Sequence, residues 1–185
     1  MNYYGGKELA DSFRTVRNNT IIIAQEIPEE KYNFRPTPDA RTIGQTLVHM
    51  TNALKLPEHI HGTAKLKTLD GFNFPGFFMP LMEDEQKAHS KTEILTRLTE
   101  GGNSFAHWLG GLSDAFLAER VSMPQGMTPA DKSRFEMLLG VKEHEMHHRA
   151  QLMVLQRMVG IVPHLTRQMN ERMAQMMAAQ NKASA

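Results

Sequence analysis

The sequence predicts an all-α protein: a four-helix bundle with a long crossover between its second and third helices and a C-terminal helical tail. Three observations carry this. Apolar residues recur at three- and four-residue steps along almost the whole chain, the period of a helix with one buried face. Pro28, the Pro36-Thr37-Pro38 cluster, the Pro75–Pro80 stretch, Pro124 to Pro129 and Gly160 to Pro163 mark off four long helical runs, which is the segment pattern of a bundle. Finally, 185 residues with 41% hydrophobic and 22% charged side chains suit one domain with a full core, and no repeat, low-complexity tract or linker divides it. Residues 1–163 are expected to form the bundle, and residues 164–185 a Met-rich helical tail that packs on it or serves as a dimer contact.

The first helix is expected over residues 6–26, where Leu9, Phe13, Val16, Thr20, Ile23 and Ile27 share a face. Pro28 and the Pro36-Thr37-Pro38 cluster end it, since proline lacks the N–H a helix needs. Thr42, with Gln45 three residues on, makes a capping box for a second helix over residues 43–65. Pro57 lies inside that run and predicts a kink or an early end. Residues 67–90 form a connection long enough to be functional. It carries Phe72, Phe74, Phe77, Phe78 and Met79 among Pro75, Gly76 and Pro80, and is expected to fold its aromatics onto the bundle or to lie over a pocket.

The third helix is expected over residues 92–116, with Ile94, Leu98, Phe105, Trp108, Leu109 and Leu112 inward. Gly101-Gly102 and Gly110-Gly111 weaken it, each glycine by about 1 kcal/mol relative to alanine, or admit a close neighbour. A turn follows at residues 124–129, then the fourth helix over residues 131–159, closed by Gly160 and Pro163. In the tail, Met169, Met173, Met176 and Met177 fall on one helical face.

Composition removes several functions. There are no cysteines, so no disulfide, thiolate-metal site or protein-borne thiol nucleophile exists. The net charge of +1 offers no global field for nucleic acid or a membrane surface. No apolar run approaches a membrane span of about 20 residues, and residues 1–13 hold no signal-type apolar segment. The expectation is a cytoplasmic protein with a small-molecule substrate and no nucleic-acid or membrane partner.

The stretch that carries chemistry is His144-Glu145-Met146-His147-His148-Arg149-Ala150-Gln151. On a helix, residues four apart lie one turn apart on one face. With His144 at zero, His148 falls at roughly 40°, while Met137, Val141, Leu152, Leu155 and Val159 fall between roughly 20° and 80°. Both histidines therefore lie in the inward stripe, and His147, at roughly −60°, lies on its edge. A buried imidazole needs a partner for each nitrogen, and two at this spacing can grip one divalent ion. A third ligand must come from another helix. His49 sits with Thr42, Thr46 and Ala53 on a small-residue face rather than on the main apolar stripe, so helical phase alone does not select it over His59, His61, His89, His107 or His164. Most of these rivals are expected at the surface.

Taken together, three segments resemble the DinB/YfiT-like metalloenzymes of the DinB superfamily. They are Glu26-Ile27-Pro28-Glu29-Glu30 with Phe34-Arg35-Pro36, the run from Thr42 to His49, and the run from His144 to Gln151 with Val159-Gly160-Ile161-Val162-Pro163 after it. The family fold is a four-helix bundle, and the resemblance covers residues 9–163. Carried over by motif position, it implies His49, His144 and His148 as metal ligands. It further implies a zinc or nickel centre, a homodimer and a transferase that activates a low-molecular-weight thiol. Ala150 stands where the family often has glycine, beside the ligands rather than at them.

Three neutral imidazoles leave coordination positions for water or substrate, the catalytic rather than the structural pattern. The nucleophile would be metal-bound water or thiolate, so no side chain is assigned to it; any thiol must arrive as a cosubstrate. Gln151 falls near the stripe and is a candidate to hold a ligand or substrate, whereas Glu145 and Arg149 read as structural ion-pair residues. Two other readings stay open. His144-Glu145-Met146-His147-His148 also fits the H-E-x-x-H pattern of zinc peptidases, with Glu145 as base and Glu171 or His164 as third ligand. The bundle could equally bind a metal or small ligand without catalysis.

Overall fold

The computed structural model describes residues 4–183; residues 1–3 and 184–185, the outer ends of the expected bundle and tail, lie outside the described residues. α1 spans Gly6–Glu26. Its expected face is inside: Leu9, Phe13, Val16, Thr20, Ile23 and Ile27 are all buried. α2 spans Ile43–Asn52, and the capping box forms: Thr42 Oγ1 accepts from the Gln45 N–H at 3.1 Å, while Gln45 Oε1 accepts from the Thr42 N–H at 2.9 Å. The single helix expected over residues 43–65 is three pieces, of which α2 is the first. After a turn at residues 53–54, α3, Lys55–Pro57, runs into a wider π-helical turn at Glu58–Thr63, so the helix breaks before Pro57 and widens after it.

The crossover is not a bare loop. It contains α4, Phe74–Gln86, capped by Asn73, whose Oδ1 accepts from the Gly76 N–H at 3.0 Å. α5 spans Lys91–Gly110, three residues of turn replace the expected continuation, and α6 spans Asp114–Ala118 with Ser113 as its cap. A two-stranded antiparallel hairpin follows, β1 Arg120–Ser122 on β2 Asp131–Ser133, with Val121 opposite Lys132. Asp131 thus lies in a strand rather than at the head of the fourth helix. That helix, α7, spans Arg134–Met158 from a Ser133 cap. α8 spans His164–Ala183.

α1 packs on α5 and α7, and α2 packs on α5, α4 and α7. One core layer joins Ile23, Ile27, Ile43, Leu47, Ile94 and Leu152. A second, further along the bundle, joins Leu9, Phe13, Leu54, Phe105, Leu109 and Leu138. The crossover has its own small core of Ile60, Leu69 and Val121, against which Phe72 and Phe74 lie half-buried. Phe72, Phe74 and Phe77 therefore fold against the body, Phe78 and Met79 remain exposed, and the second half of α4 turns toward α2.

Arg17 ties α1, α2, α5 and α7 together at one point. From α1 it donates to the Glu145 carboxylate of α7 at 2.8 Å, to the Met50 carbonyl of α2 and to the Leu98 carbonyl of α5, both at 3.3 Å. Its side chain and that of Glu145 are 2% and 3% exposed. A Cβ on Gly102 would come within 2.8 Å of Arg17 Cγ. That glycine therefore serves close approach within an unbroken α5. α8 is anchored at its start, where buried His164 bonds Asn19 at 2.9 Å and Arg167 pairs with Glu26. Further on, its methionine face is open to solvent. No helix among the described residues is long and apolar enough to cross a membrane.

Candidate metal centre

The fold brings His49 of α2 to His144 and His148 of α7. His144 Nε2 lies 3.2 Å from His49 Nε2 and 3.2 Å from His148 Nε2. One ring nitrogen from each of the three can be chosen so that all lie within 4.8 Å of one another. His148 is buried, and the other two are half-buried. His49 reaches this point because a bundle helix has two inward faces: the Ile43–Leu47–Met50 stripe enters the core, and the Thr46–His49 face meets α7 and α4.

The outer nitrogens are held. His49 Nδ1 lies 2.6 Å from Glu85 Oε1, and Arg41 Nε donates to Glu85 Oε2 at 2.9 Å. Burial raises the Glu85 carboxyl, but the bonds from His49 and Arg41 outweigh it and hold its pKa below the ordinary carboxylate value. Glu85 is therefore ionised and accepts, which puts the His49 proton on Nδ1. His148 Nδ1 donates to Gln151 Oε1 at 2.8 Å, and the Gln151 amide meets His147 Nε2 at 3.1 Å. A partner on the outer nitrogen that fixes the ring and its tautomer is the arrangement found around metal-ligating histidines.

The inner nitrogens fit a cation. With protons on Nδ1, His49 and His148 present bare lone pairs at Nε2. His144 could donate one N–H to one of them and would leave the other unmatched, whereas a cation at the common point satisfies all three. Ligand atoms about 2.0–2.1 Å from a tetrahedral ion sit about 3.3 Å apart, close to the 3.2 Å seen twice here. Burial, then the charge of neighbouring rings, pushes His144 down to about 4. Burial, opposed by the Gln151 bond and reinforced by His49, brings His148 to about 4 as well. Both rings are thus neutral, as metal binding requires.

A cavity of about 800 Å³ reaches the cluster at His148. Arg41, Glu85 and Gln151 contribute to its polar lining, and Met82, Leu155 and Met158 to its apolar lining. His147 lies exposed at its edge. The other histidines are elsewhere. His61 is buried against Arg134 at 3.0 Å, and His164 is buried against Asn19. These two are buried and His59 and His89 half-buried, so the expectation that most of the five lie at the surface does not hold. His89 bonds the Asp84 carbonyl, His59 stacks near Phe72 and Phe77, and His107 is exposed.

Glu145 cannot serve as a peptidase base here: it is sealed in the bundle with Arg17. Glu171 is exposed on α8 and His164 is engaged with Asn19, so neither joins His144 and His148 in this cluster. Sequence reasoning missed Glu85 and Arg41. Glu85 belongs to a helix hidden among prolines, and its partner lies on a different element. The only local signal is an acidic run, Glu83-Asp84-Glu85, after an aromatic stretch.

Among solved structures, the chain is similar to an uncharacterized protein from Clostridium difficile 630, at a TM-score of 0.66 and 18% identity, over 86% of this chain and 99% of that one. At that identity the likeness speaks for the fold alone. No protein with a curated description matches. The sequence profile of the DinB superfamily matches residues 12–152, a span that contains His49, Glu85, His144, His148 and Gln151 and most of the bundle, and the chain belongs to the DinB superfamily.

Proposed function

We propose that the protein is a metal-dependent enzyme that activates a low-molecular-weight thiol for transfer to an electrophile, with His49, His144 and His148 as ligands of one divalent ion. The observation that supports this is the convergence of three Nε2 atoms, with two of the outer nitrogens held by Glu85 and Gln151, at the wall of a cavity of about 800 Å³. Imidazole donors suit zinc or nickel. An ion bound there would supply Lewis acidity, enough to keep a coordinated thiol ionised near neutral pH. The chain's own residues do the rest. Glu85 and Gln151 orient the ligand rings, α2 and α7 hold them at fixed spacing, and Met82, Leu155 and Met158 give the cavity an apolar wall. With no cysteine in the sequence, the thiol enters as a cosubstrate. A cytoplasmic homodimer accords with the resemblance, and the exposed methionine face of α8 is compatible with a dimer contact.

Elemental analysis of untagged protein tests the centre. About one equivalent of zinc or nickel is expected, lost in His49→Ala, His144→Ala and His148→Ala. Unchanged metal in all three variants would remove the site. A panel of small thiols with a chromogenic electrophile tests the activity; metal without turnover on any pair would leave a metal- or ligand-binding bundle instead.

A further inference from the structure

The Glu85 carboxylate has a second role. One oxygen fixes His49, and the other accepts from Arg41 Nε at 2.9 Å. A single buried group therefore sets the spacing between the guanidinium and the three-histidine point. Glu85 takes only the Nε edge of Arg41. Among the described residues, no other group accepts from the terminal nitrogens of Arg41, whose side chain is 44% exposed and lines the cavity. A guanidinium held by one edge presents its remaining N–H groups to solvent or ligand, and two parallel N–H donors match the two oxygens of a carboxylate. The other acids lining this cavity do not occupy that edge. Glu85 is already engaged, and Asp39 is exposed and hydrogen-bonded to Thr37. Apolar walls from Met82, Leu155 and Met158 border the space.

We infer that Arg41 is an oxyanion subsite that binds the carboxylate of a small acidic ligand lying in the cavity beside the histidine cluster. This deepens the proposed function, on which it rests for the thiol: the cosubstrate or acceptor carries a carboxylate at one end. Arg41 acts by contact with ligand and sets specificity; it does no proton transfer.

The test measures binding by calorimetry to the full chain, with its metal content determined and zinc supplied in excess. Four probes are used: 3-mercaptopropionate, 3-mercaptopropionamide, propionate and propionamide. Each acid is expected to bind about tenfold tighter than its amide, as a charge-assisted bidentate pair provides. Arg41→Met should abolish that preference, with amide binding retained and the excess zinc keeping the three-histidine point filled although Glu85 has lost its Arg41 donor. An Arg41-dependent preference in either pair supports the subsite. If thiol and thiol-free acids bind alike, the thiol reading fails while the subsite stands. Equal binding of acid and amide by the wild-type protein, no binding of either acid at millimolar concentration, or a preference that survives in Arg41→Met overturns it.

Discussion

His61 and the His49–His144–His148 group use the same side chain in opposite ways. Arg134, the first residue of α7, donates to His61 Nδ1 at 3.0 Å. It also donates to Glu119 Oε2 and to the Leu66 carbonyl, each at 3.0 Å, and lies 4.7 Å over the Phe116 ring. His61 accepts at Nδ1, so its proton is on Nε2, and the cluster closes on itself. Arg134 and His61 are 0% and 1% exposed. In the three-histidine cluster the direction reverses: Nδ1 donates outward, to Glu85 from His49 and to Gln151 from His148, and bare Nε2 atoms face one point. Burial and clustering of histidines therefore carry no function by themselves. The direction of the lone pairs does, and it is set by the acceptor placed behind each ring.

The sharpest way to break this contrast is to delete one ring of each kind. His61→Ala leaves a fully buried guanidinium short of an acceptor and opens a void. Together these should cost about 2–4 kcal/mol in urea unfolding of metal-free protein, with metal content intact. His49→Ala should do the reverse, abolishing metal while moving metal-free stability by about 1 kcal/mol or less, since the ring is 22% exposed and Glu85 keeps Arg41 as a partner. If His49→Ala destabilised the metal-free protein as much as His61→Ala, the two clusters would be alike. Next in size is the acceptor behind His49. Glu85→Gln keeps the shape but removes the charge that fixes the Nδ1 proton. Metal affinity measured by chelator competition should fall by about 10- to 100-fold. No change would mean that Glu85 only staples α4 to α2.

The contrast also explains what could be read from the chain. Local rules reached far: the α1 face from Leu9 to Ile27, the Thr42–Gln45 box, and the common face of His144 and His148 all follow from spacing within one helix. The metal centre's outer partners do not. His49 stands off the main stripe of α2, and only the placement of α4 and α7 makes its face a buried one. α4 itself read as a loop because Pro75, Gly76 and Pro80 are helix breakers. The structure reconciles two of them: Pro75 occupies the first turn, where a missing N–H costs nothing, and a Cβ on Gly76 would come within 2.4 Å of the Asn73 cap, while Pro80 lies inside the helix. Glu85 was invisible for that reason. The hairpin at β1 and β2 has three residues per strand, too few for a period to register. The buried Arg17–Glu145 pair joins residues 128 apart in sequence, a distance no local pattern spans.

The smallest effect is pH dependence, which vanishes at neutral pH. Burial, then the charge of Arg134, lowers His61 to about 4 from its ordinary 6.5. His144 and His148 also stand at about 4, and burial lowers His164 in the same direction. For His61, His144 and His148 the unfolded chain takes up a proton near 6.5, whereas the folded chain refuses it until near 4. Between those values the unfolded state binds more protons, so the stability present above 6.5 is lost as pH falls toward 4. His61→Gln keeps an acceptor for Arg134 and removes the titrating ring. The slope of unfolding free energy against pH in metal-free protein should drop by about one proton's share, roughly 1.4 kcal/mol per pH unit where it is fully expressed. The shares of His144 and His148 should remain. An unchanged slope would mean that His61 is already protonated in the folded protein. Arg134 could not then donate to it, and the contrast between the two clusters would lose its closed half.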